Sequence, residues 1–598
     1  MGRGRRPAGL RAVLLRHRGH RRRGGRPGRG VGDARGSRAG PGARRPALSR
    51  TTLDRVLGAG EVLRLGRDTP YHALAWQPGE PHHLRRELVG TSWEPPRTGT
   101  EAIACLAHVT DMQLADVCSP ARFEFFNRFA ADPRMAALVP MQRPQEALTA
   151  HAIDALVRTL NAVRGGPRTG HPLQVVVTTG DAIDNAQWNE LSLYLDLLAG
   201  GVVYPGAGLT AYDGVQAAGW PHDLFWRPDV SGEPDVFRDR HGFPHRPGLL
   251  EAAFAGFAAE GLRLPWLGCH GNHEALIQGV GVPTPALQEY LLADQKPVEI
   301  APDLPLEDAV RLFTHSSEVF TTAPSRTVTP LADRRIVDRR SFVAAHLADP
   351  GTPEGHGFTA DNYRDGTAYY AWDGLPGVRV ICLDTTRVTG GSAGSVDAVQ
   401  ARWLVDRLRE VSSSYVDRDG TRVSTGNADR LVVLLSHHGS TTLTRAEAFR
   451  AVRDGEEGVL GGPDLVDLLH RHPNVVLWLN GHTHVSEVRP WHSPGEPGRG
   501  FWEVTTCAVV DWPGQARLVE FLDNGDGTLS LVCTMLDHDS PATPPEALDP
   551  AARDPQALAS LHRELSANVP WAGLGSGLAG GPRDRNVELV VRDPRRRD

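Results

Sequence analysis

The strongest constraint on the fold is a pattern that recurs along the middle of the chain, in which a short apolar run ends and a polar residue follows almost at once. Each run has the length and the Val, Leu and Ala content of a buried strand. The five runs, with the polar residue that follows each, are 102–109 with Asp111, 173–179 with Asp181, 264–269 with Asn272, 431–435 with His437 and 475–479 with His482. A helical apolar stripe over residues 148–163 separates the first two runs. Strands that alternate with helices predict an α/β fold, and ligands of such folds bind at the carboxyl ends of the strands.

Two further elements are predicted nearby. Another strand, over residues 378–383, leads to a helix with Ser395 as its N-cap and with Val399, Trp403 and Leu404 facing inward. Farther along, the residues Asn-Gly-Asp-Gly at 524–527 predict a hairpin between two strand-like runs.

Composition excludes several classes of protein. Hydrophobic residues make up 40% of the 598 residues and charged residues 23%, which is ordinary for a globular protein. No apolar stretch reaches the ~18 residues that a membrane-spanning helix needs. The six cysteines form no C-x-x-C pair, so neither a disulfide framework nor a thiolate metal site is predicted. The formal net charge of −6 is too small to indicate a charged partner.

Residues 1–50 are rich in Arg, Gly and Pro and predict a disordered arm. The pair Arg5-Arg6 is compatible with a twin-arginine export signal, but Arg16 interrupts the apolar stretch well short of the ~7–15 residues required. We therefore expect a cytoplasmic protein, or an exported one if the start of the chain is misplaced. Arginines could also bind nucleic acid, yet no aromatic residue lies among them to stack on bases.

The rest of the chain divides by composition. The predicted segments are an N-terminal extension at 51–101, a main domain at 102–540 with insertions near 200–260 and 276–365, and a C-terminal helix with a loose tail at 541–598. The two insertions are long and rich in Pro and Gly, and we expect them to cover a site.

Five short motifs carry the chemistry. They are His108-Val109-Thr110-Asp111-Met112-Gln113, Gly180-Asp181-Ala182-Ile183-Asp184-Asn185, Gly271-Asn272-His273-Glu274, Ser436-His437-His438-Gly439 and Gly481-His482-Thr483-His484. Taken singly, a Gly-Asp pair is usually a turn, a histidine at a strand end is usually packed, and Asn272 could cap a helix. Together they supply carboxylates, an amide and imidazoles, which suit two divalent ions of Mn, Fe or Zn. Two such ions about 3.5–4 Å apart can hold a phosphate for in-line attack.

In this order the motifs resemble those of the calcineurin-like metallophosphoesterase superfamily, whose pattern is D-x-H, G-D-x-x-D, G-N-H-E/D, H and G-H-x-H. The resemblance spans roughly residues 102–535. It implies a four-layer α/β/β/α sandwich with two mixed β-sheets and a metal site at the carboxyl ends of the strands. Gly357-Phe358-Thr359, Leu383-Asp384-Thr385-Thr386 and Asp511-Trp512-Pro513 further resemble a mainly actinobacterial subgroup.

The resemblance also implies roles for individual residues. Asp111 and His484 would bind the first metal, Asp181 would bridge, and Asn272, His437 and His482 would bind the second. His437 rather than His438 aligns with the motif of the family. His273 would protonate the leaving oxygen and Asp184 would orient it. Gln113 replaces the usual histidine at the first site, and an amide oxygen is a weaker ligand than imidazole, so we expect weaker binding there or a preference for Mn²⁺ or Fe²⁺.

The resemblance thus predicts a metal-dependent hydrolase of a small-molecule phosphate mono- or diester. A protein phosphatase is less favoured, because Asn185 stands where those relatives carry an arginine. Two alternatives stay open, namely a non-catalytic scaffold with this fold and a nucleic-acid binder that uses the arginine-rich arm.

Overall fold

The computed structural model describes residues 51–96, 99–232, 234–445, 459–496, 498–548 and 554–596. The predicted arm at residues 1–50 lies outside the described residues. None of the helices in these ranges combines the length and apolar character that would let it span a bilayer.

The strands of the described ranges are β1 (Arg55–Leu65), β2 (Pro70–Pro78), β3 (His83–Arg85), β4 (Glu101–Val109), β5 (Val175–Thr178), β6 (Gly201–Val203), β7 (Phe257–Ala259), β8 (Trp266–Leu267), β9 (Gln295–Pro297), β10 (Ser325–Thr327), β11 (Tyr370–Leu375), β12 (Val378–Cys382), β13 (Ser414–Val416), β14 (Arg422–Ser424), β15 (Leu431–Leu435), β16 (Val475–Asn480), β17 (Glu487–His492), β18 (Gly500–Thr505), β19 (Ala516–Asp523), β20 (Thr528–Leu536) and β21 (Val587–Arg592).

The α-helices of the same ranges are α1 (Thr149–Ala162), α2 (Trp188–Ala199), α3 (Val236–His241), α4 (Leu249–Phe254), α5 (Pro285–Leu291), α6 (Ala309–Ser316), α7 (Arg339–Ala348), α8 (Ala360–Asp365), α9 (Ala398–Arg409), α10 (Gly462–His470) and α11 (Pro555–Ala567).

Two mixed sheets contain most of these strands. Sheet I has seven strands in the order β3-β21-β20-β19-β4-β5-β8, and sheet II has six in the order β11-β12-β15-β16-β18-β17. In sheet I, β4, β5 and β8 are parallel neighbours, and in sheet II, β12, β15, β16 and β18 are parallel neighbours. The predicted hairpin is confirmed, because β19 pairs antiparallel with β20.

Alternating side chains explain why the two sheets stack. On β15, Leu431, Val433 and Leu435 join a core cluster that also contains the strands of sheet I. Val432 and Leu434 point the other way, into a separate cluster. Successive strand residues face opposite sides, so a strand that is apolar throughout must be buried on both faces.

Helices complete the outer layers. Leu404 of α9 and Leu465 of α10 pack in the cluster on the outer face of sheet II. On the opposite side, Ile153 and Leu156 of α1 lie beside Val109 and Val176 of sheet I. Each such buried leucine contributes ~1.5–3 kcal/mol relative to exposure. The predicted α/β/β/α order with mixed sheets is confirmed.

Two expectations about the periphery are wrong. The end of the chain is not a loose tail, because β21 pairs with β20 on one side and β3 on the other. Helix α9 is capped by Asp397, which accepts a hydrogen bond from the amide of Gln400, and not by Ser395. Val399 is 60% exposed and does not face inward, whereas Leu404 is fully buried as predicted.

Candidate metal centre

The two sheets bring their polar strand ends to one place. In sheet I, Asp111, Asp181 and Asn272 follow the parallel neighbours β4, β5 and β8. In sheet II, His437 and His482 follow the parallel neighbours β15 and β16. Parallel neighbours end at the same edge of their sheet. The two edges lie at the same end of the sandwich, as the 3.0 Å contact between Asp181 of sheet I and His437 of sheet II shows.

Distances between these side chains are those of a shared ion site. Asp181 Oδ2 lies 3.0 Å from His437 Nε2, which lies 3.2 Å from His482 Nδ1. His484 Nε2 lies 3.4 Å from Asp111 Oδ1. Potential ligand atoms of Asp111, Asp181 and His437 all lie within 4.8 Å of one another. The structure therefore brings together two carboxylates and three imidazoles from distant parts of the sequence.

Three buried oxygens in this cluster have no hydrogen-bond partner among the described residues. They are Oδ1 of Asp111, Oε1 of Gln113 and Oδ1 of Asn272. Buried polar atoms are nearly always satisfied, so three orphaned acceptors in one place require an explanation. Each belongs to a predicted ligand, and bound cations would satisfy all three.

The other atoms of the cluster are held by the protein. Asp111 Oδ2 accepts hydrogen bonds from Thr110 Oγ1 at 2.7 Å and from the amide of His482 at 3.0 Å. His437 Nδ1 donates to the carbonyl of Thr179 at 2.7 Å. These bonds leave Asp111 Oδ1 and His437 Nε2 for the centre, because a histidine that donates from one nitrogen presents the lone pair of the other.

His438 is placed differently from its neighbour. Its ring lies close enough to His437 and His482 to form a possible ligand group with them. Both of its nitrogens are nevertheless engaged, Nδ1 with Thr385 Oγ1 at 2.8 Å and Nε2 with the carbonyl of Ser392 at 2.9 Å. This favours His437 as the ligand of the pair.

The backbone of the site is strained. In the described ranges, nine residues other than glycine have a left-handed φ, and five of them are predicted ligands. These five are Asp111 (51°), Gln113 (42°), Asp181 (51°), His482 (69°) and His484 (60°). Such conformations cost about 1–3 kcal/mol each and concentrate at functional sites.

Glycine is required where the motifs approach each other. A Cβ on Gly481 would collide with Thr110 Oγ1 and Asp111 Oδ2, and a Cβ on Gly271 would collide with Asp181 Oδ1. These two glycines therefore let the strand end of one segment reach the carboxylate of another.

Charges within the centre shift the pKa values strongly. Burial alone would lower the pKa of His437, but Asp181 and Asp111 raise it to about 9. For His484, burial also acts to lower the pKa, and Asp111 and Asp511 raise it to about 9. Burial and the charge of His437 lower the pKa of His482 to about 3. Without metal the carboxylates thus attract protons to two of the three histidines.

His273 lies at the rim of the centre with its ring oriented by Asp184. Its Nδ1 donates to the backbone carbonyl of Asp184 at 2.6 Å, whereas the carboxyl Oδ1 is 3.5 Å away. The carboxylate of Asp184 instead accepts a hydrogen bond from Arg122 Nε at 3.0 Å. The predicted residue is in place, but its closest contact with the histidine is through the main chain.

Gln113 also reaches the centre. Its Nε2 lies 3.3 Å from both His273 Nε2 and His484 Nε2, and its Oε1 is the orphaned oxygen described above. The amide of Gln113, a predicted metal ligand, thus lies between His273 and His484.

Searches against known proteins add fold similarity alone. No protein-family model matches the chain, and no curated protein is similar to it. The similar solved structures include two phosphatases. One is a dimetal phosphatase from Danio rerio, with 11% identity, a TM-score of 0.30 and coverage of 73% of this chain and 100% of that one. The other is a purple acid phosphatase from yellow lupin (Lupinus luteus) seeds, with 10% identity, a TM-score of 0.24 and coverage of 77% and 55%.

The similarity to these structures concerns the fold alone, and the calcineurin-like resemblance rests on the motifs of the sequence. These identities and TM-scores carry no argument about substrate or residue roles, which rest on the side chains described above. The narrower resemblance to one subgroup stays a prediction.

Two carboxylates that contact the site were not predicted from the sequence. Asp511 Oδ2 accepts a hydrogen bond from His484 Nδ1 at 2.6 Å, and so directs Nε2 of that histidine to the centre. Glu274 accepts from the amides of Gly271 at 2.6 Å and Asp181 at 2.9 Å, which ties two motif loops together. Both residues stand in recognised motifs, but only the structure shows what they contact.

An ion-pair chain also went unpredicted. Arg122 bonds Asp184 and, at 2.9 Å, Glu146, and Arg143 lies 4.0 Å from Glu146 and bonds Asp511 Oδ1 at 2.7 Å. All five side chains are at most 10% exposed. The chain joins the residue that orients His273 to the residue that orients His484, and its alternating charges satisfy one another.

Proposed function

We propose that this protein hydrolyses a phosphate ester with the help of two divalent metal ions. The observation that supports this most directly is the set of three orphaned oxygens on Asp111, Gln113 and Asn272. Gln113 and Asn272 line one cavity with His482 and His484, and Asp111 has potential ligand atoms within 4.8 Å of those of Asp181 and His437. The dimetal phosphatase name of one similar structure agrees with the proposal without carrying it.

The donor set fits two ions of Mn, Fe or Zn. Asp111, Gln113 and His484 would hold the first, Asn272, His437 and His482 the second, and Asp181 both. Ions bound there would supply positive charge for the phosphoryl oxygens and would lower the pKa of a water. Carboxylate, amide and imidazole ligands suit these metals. The six cysteines are free, buried thiols and are not among the proposed ligands.

His273 is the proposed general acid. Its Nδ1 proton is fixed on the carbonyl of Asp184, so any proton that it gives up leaves from Nε2. Burial would lower the pKa of His273, but in the metal-free chain Asp181 and Asp184 raise it to about 9. Nε2 lies at the cavity beside the proposed ions and can donate that proton to the departing alkoxide.

The test is an assay of the full chain with added Mn²⁺ on 4-nitrophenyl phosphate and on bis(4-nitrophenyl) phosphate, which distinguishes monoester from diester activity. Asp181→Asn should abolish both bound metal and turnover. Asp154→Asn removes a similarly buried carboxylate on α1 and should leave both intact. Activity that survives complete removal of metal would refute the proposal, and absence of activity on both esters would favour a scaffold.

The acid role has a separate test. His273→Ala should retain its metal and lose turnover, and it should lose most with esters whose leaving alcohol is a poor leaving group. If this variant cleaved an alkyl phosphate at the parent rate, His273 would not be the acid.

A further inference from the structure

A cavity of about 160 Å³ opens beside the proposed metal ligands. Its lining includes five of those ligands together with His273, here called the metal side, and the five are Gln113, Asp181, Asn272, His482 and His484. The same lining includes an apolar part, here called the apolar wall, which consists of residues 137–141 and Val280. Its sequence, Ala-Leu-Val-Pro-Met, presents no charged side chain to the cavity.

The apolar wall is a packed surface. Leu138, Met141 and Val280 are 5%, 3% and 7% exposed, and they belong to a cluster that also contains Phe123 and Phe313. That cluster joins the segment before α1 to residues 277–320. The wall is consequently supported from behind by aromatic side chains and keeps its shape when a ligand arrives.

Charged groups elsewhere in the cavity lining are already paired. Arg143 bonds Asp511 through Nε at 2.7 Å and Nη2 at 3.2 Å, and Asp184 bonds Arg122. Apart from the proposed ligands and His273, these are the charged residues of the described lining.

The polar amide of the lining is satisfied as well. Gln278 accepts from the amide of Phe123 at 2.8 Å and donates to the carbonyl of Met141 at 3.0 Å. A second anionic group on a substrate would therefore meet no unpaired cation in the lining, and it would lose hydration without compensation.

We propose that the alcohol part of the substrate is uncharged and apolar, and that it packs against the apolar wall while the phosphoryl group occupies the metal side. The inference rests on the proposed function and narrows its substrate class. It disfavours esters that carry a second phosphate or a carboxylate near the reacting phosphorus.

Three monoesters test the inference on the Mn²⁺-loaded full chain: methyl phosphate, butyl phosphate and 3-carboxypropyl phosphate. The last two have the same four-carbon chain and similar leaving alcohols, and they differ at the far end. Each methylene that becomes buried should raise kcat/KM by about fourfold. We expect butyl phosphate to exceed both methyl and 3-carboxypropyl phosphate by about tenfold or more.

Leu138→Ala should lower the butyl-to-methyl ratio of kcat/KM by about threefold or more. Leu306→Ala is the matched control, because Leu306 packs on the same cluster but does not line the cavity. Should Leu138→Ala fail to fold, Val280→Thr adds a hydroxyl at nearly constant volume and should lower the same ratio.

The outcomes separate the two proposals. If none of the three esters is cleaved and the nitrophenyl esters are not either, the proposed function fails. If they are cleaved with equal kcat/KM, or if both leucine variants change the ratio alike, the apolar site is refuted while the phosphoesterase function stands.

Discussion

Replacing Asp511 with asparagine should weaken the first metal site selectively. The variant keeps the shape of the side chain but loses the charge that holds His484 Nδ1 at 2.6 Å and Arg143 Nε at 2.7 Å. Hydrogen bonds to charged groups contribute about 1.5–3 kcal/mol, and loss of a residue that orients a ligand histidine usually weakens metal binding by about 10–100-fold. We therefore expect the dissociation constant of the site that contains His484 to rise by about 10–100-fold, or roughly 1.4–2.8 kcal/mol.

The assay is a calorimetric titration of the metal-free protein with Mn²⁺. Elemental analysis then gives the number of bound metal ions per chain. Asp384→Asn is the matched control. Asp384 is also buried, lies 2.6 Å from Arg339 and 3.5 Å from His270, and yet contacts no proposed ligand. If both variants lose the same Mn²⁺ affinity, the cause is a general effect of neutralising a buried aspartate. If Asp511→Asn binds Mn²⁺ as tightly as the parent, Asp511 does not orient His484 for metal binding.

Three further predictions follow from the same geometry. Gln113→His should bind the first metal more tightly than the parent and accept more Zn²⁺ or oxidised iron. If elemental analysis finds the same amount and the same kinds of bound metal in the variant and the parent, Gln113 is not an amide ligand. His437 and His484 have a pKa near 9 in the metal-free chain, because carboxylates outweigh the lowering effect of burial, so metal must displace their protons. Affinity should accordingly rise between about pH 6 and 8, with calorimetric enthalpies that vary with the buffer, and enthalpies that are equal in all buffers would contradict this. Gly481→Ala should displace the carboxylate of Asp111 and lower the amount of metal bound per chain. Full metal occupancy in this variant would show that the loop can move to accommodate the added methyl group.

The layered fold and the centre of the site could be predicted because they depend on local patterns. Apolar runs such as 431–435 specify buried strands directly, and the residue after each run is carried to a sheet edge by the strand itself. Parallel neighbours end at one edge of each sheet, and the stacking of the two sheets brings these edges together. Asp181 of sheet I and His437 of sheet II therefore meet although 256 positions of sequence separate them. Motif order was therefore sufficient to anticipate the cluster.

Features that depend on tertiary contacts could not be predicted in the same way. Strand β21 follows a Pro- and Arg-rich stretch and is stabilised by pairing with β20 and β3, which no local pattern indicates. The contact of Asp511 with His484 spans a loop, and the pairing of Arg122 with Glu146 depends on how that segment packs. Ser395 and Asp397 are both good N-caps, and the choice between them is made by the packing of α9.

The most direct test of the account is a crystal structure of the Mn²⁺-loaded protein with anomalous scattering data. The account predicts two anomalous peaks about 3.5–4 Å apart, with Asp181 between them, Asp111 and His484 beside one, and Asn272 and His437 beside the other. The absence of a peak at these residues, under conditions in which the protein binds Mn²⁺, would contradict it.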